Sequence, residues 1–422
     1  MTAPESKLLT RITWLSGKLT TARLRTHALV LALCLWGTVA VNYSVTGVLD
    51  RAGNIKFQDF LQFPVSACLI KQGHADQLYD DAVLARGVRT LVGRDTNVFL
   101  QYFYGPQVAL PFIPLVSLPF LVQAGIWVTI SLALYFGCIY FTWKCCPALR
   151  PHPVTVAMCA FAFPPLFHFF IRGQLSAVLL ACFTIAYFAF ASRREWLAGA
   201  VLGCLALKPP FLVAIPLILL LARAWKVLAG VSISAFAQLI LTWIYFGSRV
   251  MQIYLTRLLH SAAHPGSTEL TFSAIQMHSL FSFLEVLVPW RSVVWALFLL
   301  SSVAVIAATA TIWRSPVPLA LRFSALTFAA VLVNSHLYIY DLLALAPVFL
   351  LLSDWLLVNA HHPTKPALAV LLYLAFLLPL FGPLAYWTHL QLSVVVFSAI
   401  LWVLFRIATA SHKLAFAESA VV

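Results

Sequence analysis

Uninterrupted apolar runs close to the length that crosses a bilayer once as a helix, about 20 residues, recur along this chain. They stand at about 27–48, 107–122, 124–143, 154–171, 174–191, 227–246, 292–313, 318–334, 338–357, 366–386 and 389–406. In lipid every backbone amide and carbonyl needs an internal partner, so such runs fold as helices. Hydrophobic residues make up 62% of the 422 and charged ones only 9%, against about 25% charged in a soluble domain. Soluble cores are excluded. The reading is an all-α polytopic membrane protein of about 11–13 transmembrane helices.

The net charge of +14 would favour nucleic acid in a soluble protein, but here the basic residues sit mostly at the ends of apolar runs. That is the pattern of cytoplasmic loops facing anionic lipid, and no nucleic-acid partner is expected. Residues 1–26, with Lys7, Arg11, Lys18, Arg23 and Arg25, read as a cytoplasmic basic N-terminus. Residues 27–406 read as a single transmembrane domain and 407–422 as a cytoplasmic tail. The polar stretch 49–105 then lies outside and holds six of the thirteen acids. Its amphipathic pieces, 57–71 and 81–91, predict helices lying on the membrane surface. A second outer loop covers 247–290.

Two local patterns strain a simple up-and-down path. If 107–122 and 124–143 both cross, Lys144 and Arg150 land outside, so either one is a partial span or the charge rule fails locally. The runs 196–207 and 210–222 flank Lys208-Pro209-Pro210. At 1.5 Å per residue each is only about 18 Å long, which predicts a broken or re-entrant pair with Lys208 near its tip. No internal repeat is visible. The eight cysteines contain no CxxC, so neither zinc nor a redox site is expected.

Ionisable residues at membrane depth are the candidates for chemistry. Asp59, just beyond the first span, is either a general base or the N-cap of the following surface helix. Asp80 and Asp81 read as caps, and Tyr104-Gly105-Pro106 as the opening of the next span. Arg172-Gly173-Gln174 joins two apolar runs: the guanidinium either snorkels or meets an anion, Gly173 allows a tight turn, and the next helix offers free amides to a phosphate. Lys208 is costly at a Pro-Pro break unless it meets a phosphate or carboxylate, or pairs with Asp341. His336 and Tyr340 share a helical face beside Asp341. Arg257, His260 and His264 line one face of a surface helix. P-loop, HExxH and GxSxG motifs are absent.

Several short motifs fall in a consistent order: Gln58-Asp59-Phe60, Gly73 with Leu78-Tyr79-Asp80, Tyr104-Gly105-Pro106 before Leu118-Pro119, Gly173-Gln174, Gly199 through Lys208-Pro209, Gln276-Met277-His278-Ser279-Leu280, and His336 to Asp341. Together they resemble glycosyltransferase family 87, the DUF2029-type, polyprenyl-phosphate-sugar-dependent transferases of the GT-C superfamily. Two positions differ from that pattern, Arg172 and Met277-His278. The resemblance implies a GT-C-type helical bundle and a catalytic aspartate in the first outer loop, mapping onto Asp59. It further implies an inverting hexosyltransferase that moves a sugar, typically mannose, from a polyprenyl-phosphate-hexose donor to a lipid or glycan acceptor. The active site would face the extracytoplasmic side of the plasma (inner) membrane. Donor-phosphate ligands are then Arg172, Gln174, Lys208 and His336. Substrate-binding residues are Tyr104, Gln276, His278, Tyr340 and Asp341. The lipid-phosphate sugar is a co-substrate, membrane lipids surround the chain, and no metal or cofactor is expected. Two alternatives stand beside this reading: a secondary transporter or lipid-linked-sugar carrier with Lys208 and Asp341 as a midplane ion pair, and a GT-C enzyme with a protein acceptor or another donor sugar.

Overall fold

The computed structural model describes residues 3–93, 101–263 and 276–419. Among these, seven helices are long and apolar enough to cross a membrane: Thr21–Tyr43 (α2), Phe120–Lys144 (α5), Trp225–His260, Arg291–Arg314, Ile339–Val358, Lys365–Thr388 and Leu392–His412. An eighth crossing is a pair, Pro153–Phe161 (α6) and Pro164–Arg172 (α7), bent by 45° where Pro164-Pro165 begins the second helix. Five shorter apolar helices complete the set. Two of them, Ser176–Ala191 (α8) and Leu319–Leu332, are buried on nearly every side and form the centre of the bundle. The count of apolar helical segments follows the sequence, but several are too short to cross alone.

The basic N-terminus is helical. Ala3–Lys18 (α1) is a helix, and the first span begins at Thr21 rather than 27, with the Thr20 hydroxyl accepting from the Arg23 amide at 3.4 Å. That span ends at Tyr43. The Lys56 ammonium then caps its exit, donating to the carbonyls of Tyr43, Val45 and Gly47 at 3.3, 2.6 and 3.1 Å.

The conflict around 107–143 resolves through proline. Pro106–Leu115 is a 3-10 helix containing Pro111 and Pro114. At about 2.0 Å per residue it is far shorter than the roughly 30 Å hydrocarbon layer, so α5 alone crosses. The end to which α5 returns is fixed by contacts along α2. Arg25 Nε donates to Thr155 Oγ1 at 2.7 Å near one end, Trp36 Nε1 to the Phe161 carbonyl at 2.9 Å, and Tyr43 Oη to the Ile171 carbonyl at 3.3 Å at the other. Hence α2 and α6–α7 run parallel, and the basic turn before α6 sits at the same end as Arg25.

The expected break at Lys208 is present. Glu195–Gly203 (α9) continues as a 3-10 turn to Leu207, and Pro209–Leu212 leads into Ala214–Leu221 (α10), with buried Lys208 at the break. Gly199 and Gly203, four residues apart, let α9 pack backbone-to-backbone on Trp225–Ala263 (α11), where Gly230 answers them. A Cβ on Gly199 would run into the Val227 carbonyl oxygen.

Helix α11 breaks at Gly247 (φ 78°, ψ 170°), and its second arm lies over the outer loop. There Arg249 reaches Asp76 at 3.2 Å and Arg257 reaches Asp81 at 2.9 Å. The loop carries the two expected surface helices, Gln62–Lys71 (α3) and Asp81–Val92 (α4). Asp80 caps α4 by accepting from the amides of Ala82 and Val83 at 2.9 and 3.1 Å. Asp81 is the exception, holding Arg257. His264 of the Arg257 stripe lies outside the described residues.

Candidate active site

Asp59 occupies a short 3-10 turn, Gln58–Leu61, entered through Phe57 in the left-handed region (φ 54°, ψ 41°). A non-glycine residue there costs roughly 1–2 kcal/mol. Edge-to-face packing of Phe57 on Tyr43 and Phe170, with ring centroids 5.4 and 5.7 Å apart, holds it in place. The Asp59 side chain does not cap the helix. Its Oδ1 meets Arg172 Nη1 at 3.3 Å and its Oδ2 accepts from Gln174 Nε2 at 3.1 Å. The carboxylate is 20% exposed and the guanidinium 34%, so both remain within reach of a ligand.

The geometry at 172–174 follows from one glycine. Gly173 ends α7 in the left-handed region (φ 71°), its amide donating to the Phe169 carbonyl at 2.8 Å. A Cβ there would approach the Phe60 Cβ at 2.8 Å, so a larger residue is excluded by space as well as by φ. The turn presents Arg172 and Gln174 to the same carboxylate. Trp127 Nε1 braces it, donating to the carbonyls of Gly173 and Gln174 at 3.1 and 3.2 Å.

Behind Gln174 stands a buried relay. Tyr104 Oη donates to Gln174 Oε1 at 2.8 Å, and Tyr79 Oη donates to the Tyr104 carbonyl at 2.9 Å. With Tyr104 giving a proton to one end of the amide, the other end must be the NH2 that faces Asp59. Tyr104 therefore sets the orientation of Gln174.

Two residues beyond Gln174, Ser176 starts α8 and donates to Asp341 Oδ1 at 3.1 Å. Asp341 is fully buried, and both its oxygens lie 2.6 Å from Lys208 Nζ, while Oδ2 also accepts from the Tyr338 amide at 3.2 Å. Lys208 also sits over the Tyr340 ring at 5.4 Å. The Tyr340 ring stacks on Tyr338, and His336 packs between Tyr338 and Phe103 at 5.1 and 5.5 Å. Burial, then the nearby Lys208 charge, pushes the His336 imidazole down to about 4, so at neutral pH it is uncharged and offers a hydrogen bond rather than a positive charge.

Of the residues singled out by sequence, Asp59, Arg172, Gln174 and Tyr104 form one connected group. Lys208, Asp341, Tyr340 and His336 form a second beside it, joined through Ser176. In this structure the Lys208 ammonium faces a carboxylate, the pairing reading, rather than an open anion site. Gln276 and His278 flank a backbone link to the second group: Met277 pairs with Tyr338 as an antiparallel bridge, and the His278 amide donates to the Leu337 carbonyl at 3.0 Å. Gln276 is exposed, while His278 is fully buried, with Nδ1 2.7 Å from Ser393 Oγ. Burial pushes the His278 imidazole down to about 3. Sequence reasoning missed Trp127, Ser176 and Tyr338. The first is an ordinary tryptophan inside a span and carried no signal; Ser176 adjoins one motif already singled out and Tyr338 lies inside another. Among the described residues no three His, Cys, Asp or Glu side chains gather as a metal set.

A family model described as glycosyltransferase family 87 matches residues 102–335. The chain belongs to glycosyltransferase family 87. It is a multi-pass membrane glycosyltransferase, and this membership decides against the transporter reading. The matched stretch contains Tyr104, Arg172, Gln174 and Lys208; Asp59 precedes it and joins the family region through its bonds to Arg172 and Gln174. No curated protein and no solved structure matches the chain.

Proposed function

We propose that this family 87 glycosyltransferase moves a hexose, mannose foremost, from a polyprenyl-phosphate donor to a hydroxyl of a lipid or glycan. The reading puts the reaction on the extracytoplasmic face of the plasma membrane. Asp59 is the general base. The observation that carries this is the Asp59 carboxylate itself, aimed by Arg172 and Gln174 and still partly exposed. The acceptor hydroxyl gives its proton to Asp59 as its oxygen bonds to the anomeric carbon. The bond from that carbon to the phosphate oxygen breaks, and its electron pair leaves with the lipid phosphate. One carboxylate suffices for inversion, with an oxocarbenium-like transition state of the glycosidase kind. A phosphate leaving group needs positive charge and hydrogen bonds more than a proton. Arg172 supplies the charge and neutral His336 a hydrogen bond, while Lys208 keeps the Asp341 turn in place. The lipid-phosphate sugar serves as co-substrate without a cofactor.

The test is transfer from polyprenyl-phosphate-mannose in nanodiscs, with a membrane lipid extract as acceptor pool, by the unaltered protein and Asp59→Asn. Positioned general bases contribute about 10²–10⁴-fold, and a loss of that size with donor binding intact is expected. Equal turnover by both proteins would end the assignment of Asp59.

A further inference from the structure

On the side of Arg172 next to α2 there is a cleft of about 240 Å³ between α2, the turn at 50–58 and α7. Its polar lining includes Asn42, Asp50, Asn54, Gln58 and Arg172. Gln58 adjoins Asp59, and Arg172 is bonded to that same carboxylate. Asp50 Oδ1 accepts from the Asn54 amide at 2.8 Å. Among the described residues, its other oxygen and the side-chain amides of Asn42, Asn54 and Gln58 take no hydrogen bond. Three carboxamides and a carboxylate offer alternating donors and acceptors, which matches vicinal hydroxyls.

The same lining disfavours a phosphate. Arg172 is its one cation and already faces Asp59, Asp50 adds a negative charge, and Lys56 turns away to cap the end of α2. The guanidinium borders the cleft and also lies near Tyr338 and Tyr340. Inverting displacement requires the acceptor and the leaving phosphate on opposite sides of the anomeric carbon.

The geometry points to this cleft as the acceptor subsite, taking a single sugar or polyol headgroup carried by a lipid. This assignment rests on the glycosyltransferase reading above. The volume falls below the roughly 300–1,000 Å³ of drug-sized sites, which suits one sugar unit rather than a long glycan. Val39, Phe167 and Ile171 make the remaining wall apolar, and α2 is largely exposed along its length, so an alkyl tail lies along the lipid-facing side.

The test measures binding of octyl mannoside and, separately, of polyprenyl phosphate to the full chain in nanodiscs, with octyl tetraethylene glycol correcting for partitioning. Asn42→Leu is the first variant and Asn54→Ala the second, both with thermal stability checked. Loss of one or two hydrogen bonds to the headgroup is expected to weaken octyl mannoside binding about tenfold, with polyprenyl phosphate binding unchanged. Weakened polyprenyl phosphate binding instead would make the cleft a donor site and overturn the assignment, as would no change in either. If octyl mannoside binding responds as expected while no donor supports transfer by the unaltered protein, the cleft assignment stands and the glycosyltransfer reading fails.

Discussion

Replacing Tyr104 with phenylalanine separates a residue that touches substrate from one that orients the base. Tyr104 and Gln174 are 6% and 4% exposed, and the hydroxyl lies 2.8 Å from Gln174 Oε1. Tyr104→Phe leaves that oxygen buried without a donor, which costs about 1–3 kcal/mol. The amide relieves the penalty only by turning, and turning removes its NH2 from Asp59. If the penalty appears wholly in the transition state, it corresponds to a fall of about fivefold to 160-fold in kcat at about 1.36 kcal/mol per decade. The assay is steady-state transfer from polyprenyl-phosphate-mannose at saturating acceptor, with donor KM and thermal midpoint measured on the same samples. We expect kcat to fall in that range while donor KM changes less than about twofold, the signature of a lost transition-state interaction. The double variant Tyr104→Phe/Gln174→Ala should be no slower than Gln174→Ala alone, because both changes break one connection. Full kcat with a raised donor KM would refute the argument and make Tyr104 a substrate ligand.

Three further outcomes follow from other parts of the site. Lys208→Met strands the buried Asp341 charge and should destabilise the protein by about 3–5 kcal/mol, whereas Lys208→Met/Asp341→Leu should recover most of the thermal midpoint; a double variant as unstable as the single would show that the pair is not self-contained. Gly173→Ala adds about 1–2 kcal/mol of left-handed strain and a Cβ pressed against Phe60, so transfer should drop at least as far as in Tyr104→Phe, read by the same assay. Because the His336 pKa is held at about 4, below the ordinary value of about 6.5, its contribution to stability is complete above that ordinary value and is lost as pH falls toward 4. Thermal midpoints of ligand-free protein should therefore decline across that window, and His336→Gln should flatten part of the decline, with buried His278 accounting for another part. An equal slope in the variant would contradict the neutral assignment of His336.

Much of this arrangement was legible because lipid leaves a chain few choices. The long apolar runs became α2, α5 and the later spans, and Lys208-Pro209-Pro210 became a break between two short helices. Helix α2 extends N-terminally of the apolar run that starts near 27, because the Thr20 cap begins it ahead of Arg23 and Arg25. Residues 107–122 read as a full or partial span because hydropathy does not register that the prolines limit the helix there to the ten residues of Pro106–Leu115. At the site, Asp59, Arg172 and Gln174 could be singled out as charged or amide groups beside apolar runs, but their meeting spans more than a hundred residues of sequence and no spacing rule announces it. Lys208 and Asp341 were foreseen as a possible pair. His278 could not be told apart from a ligand, since its partner Ser393 lies 115 residues away at the start of the last helix.

The turn at Gly173 has a mechanical consequence. Membrane helices tilt and slide as bilayer thickness changes, at small cost per ångström of mismatch. A base gripped by side chains from two independent helices would lose alignment with each such adjustment. Here both grips on the carboxylate come from residues on either side of one glycine, so they travel together as a single corner. Asp59 is held by that corner through both oxygens, so a shift of α7 or α8 moves its two partners as one.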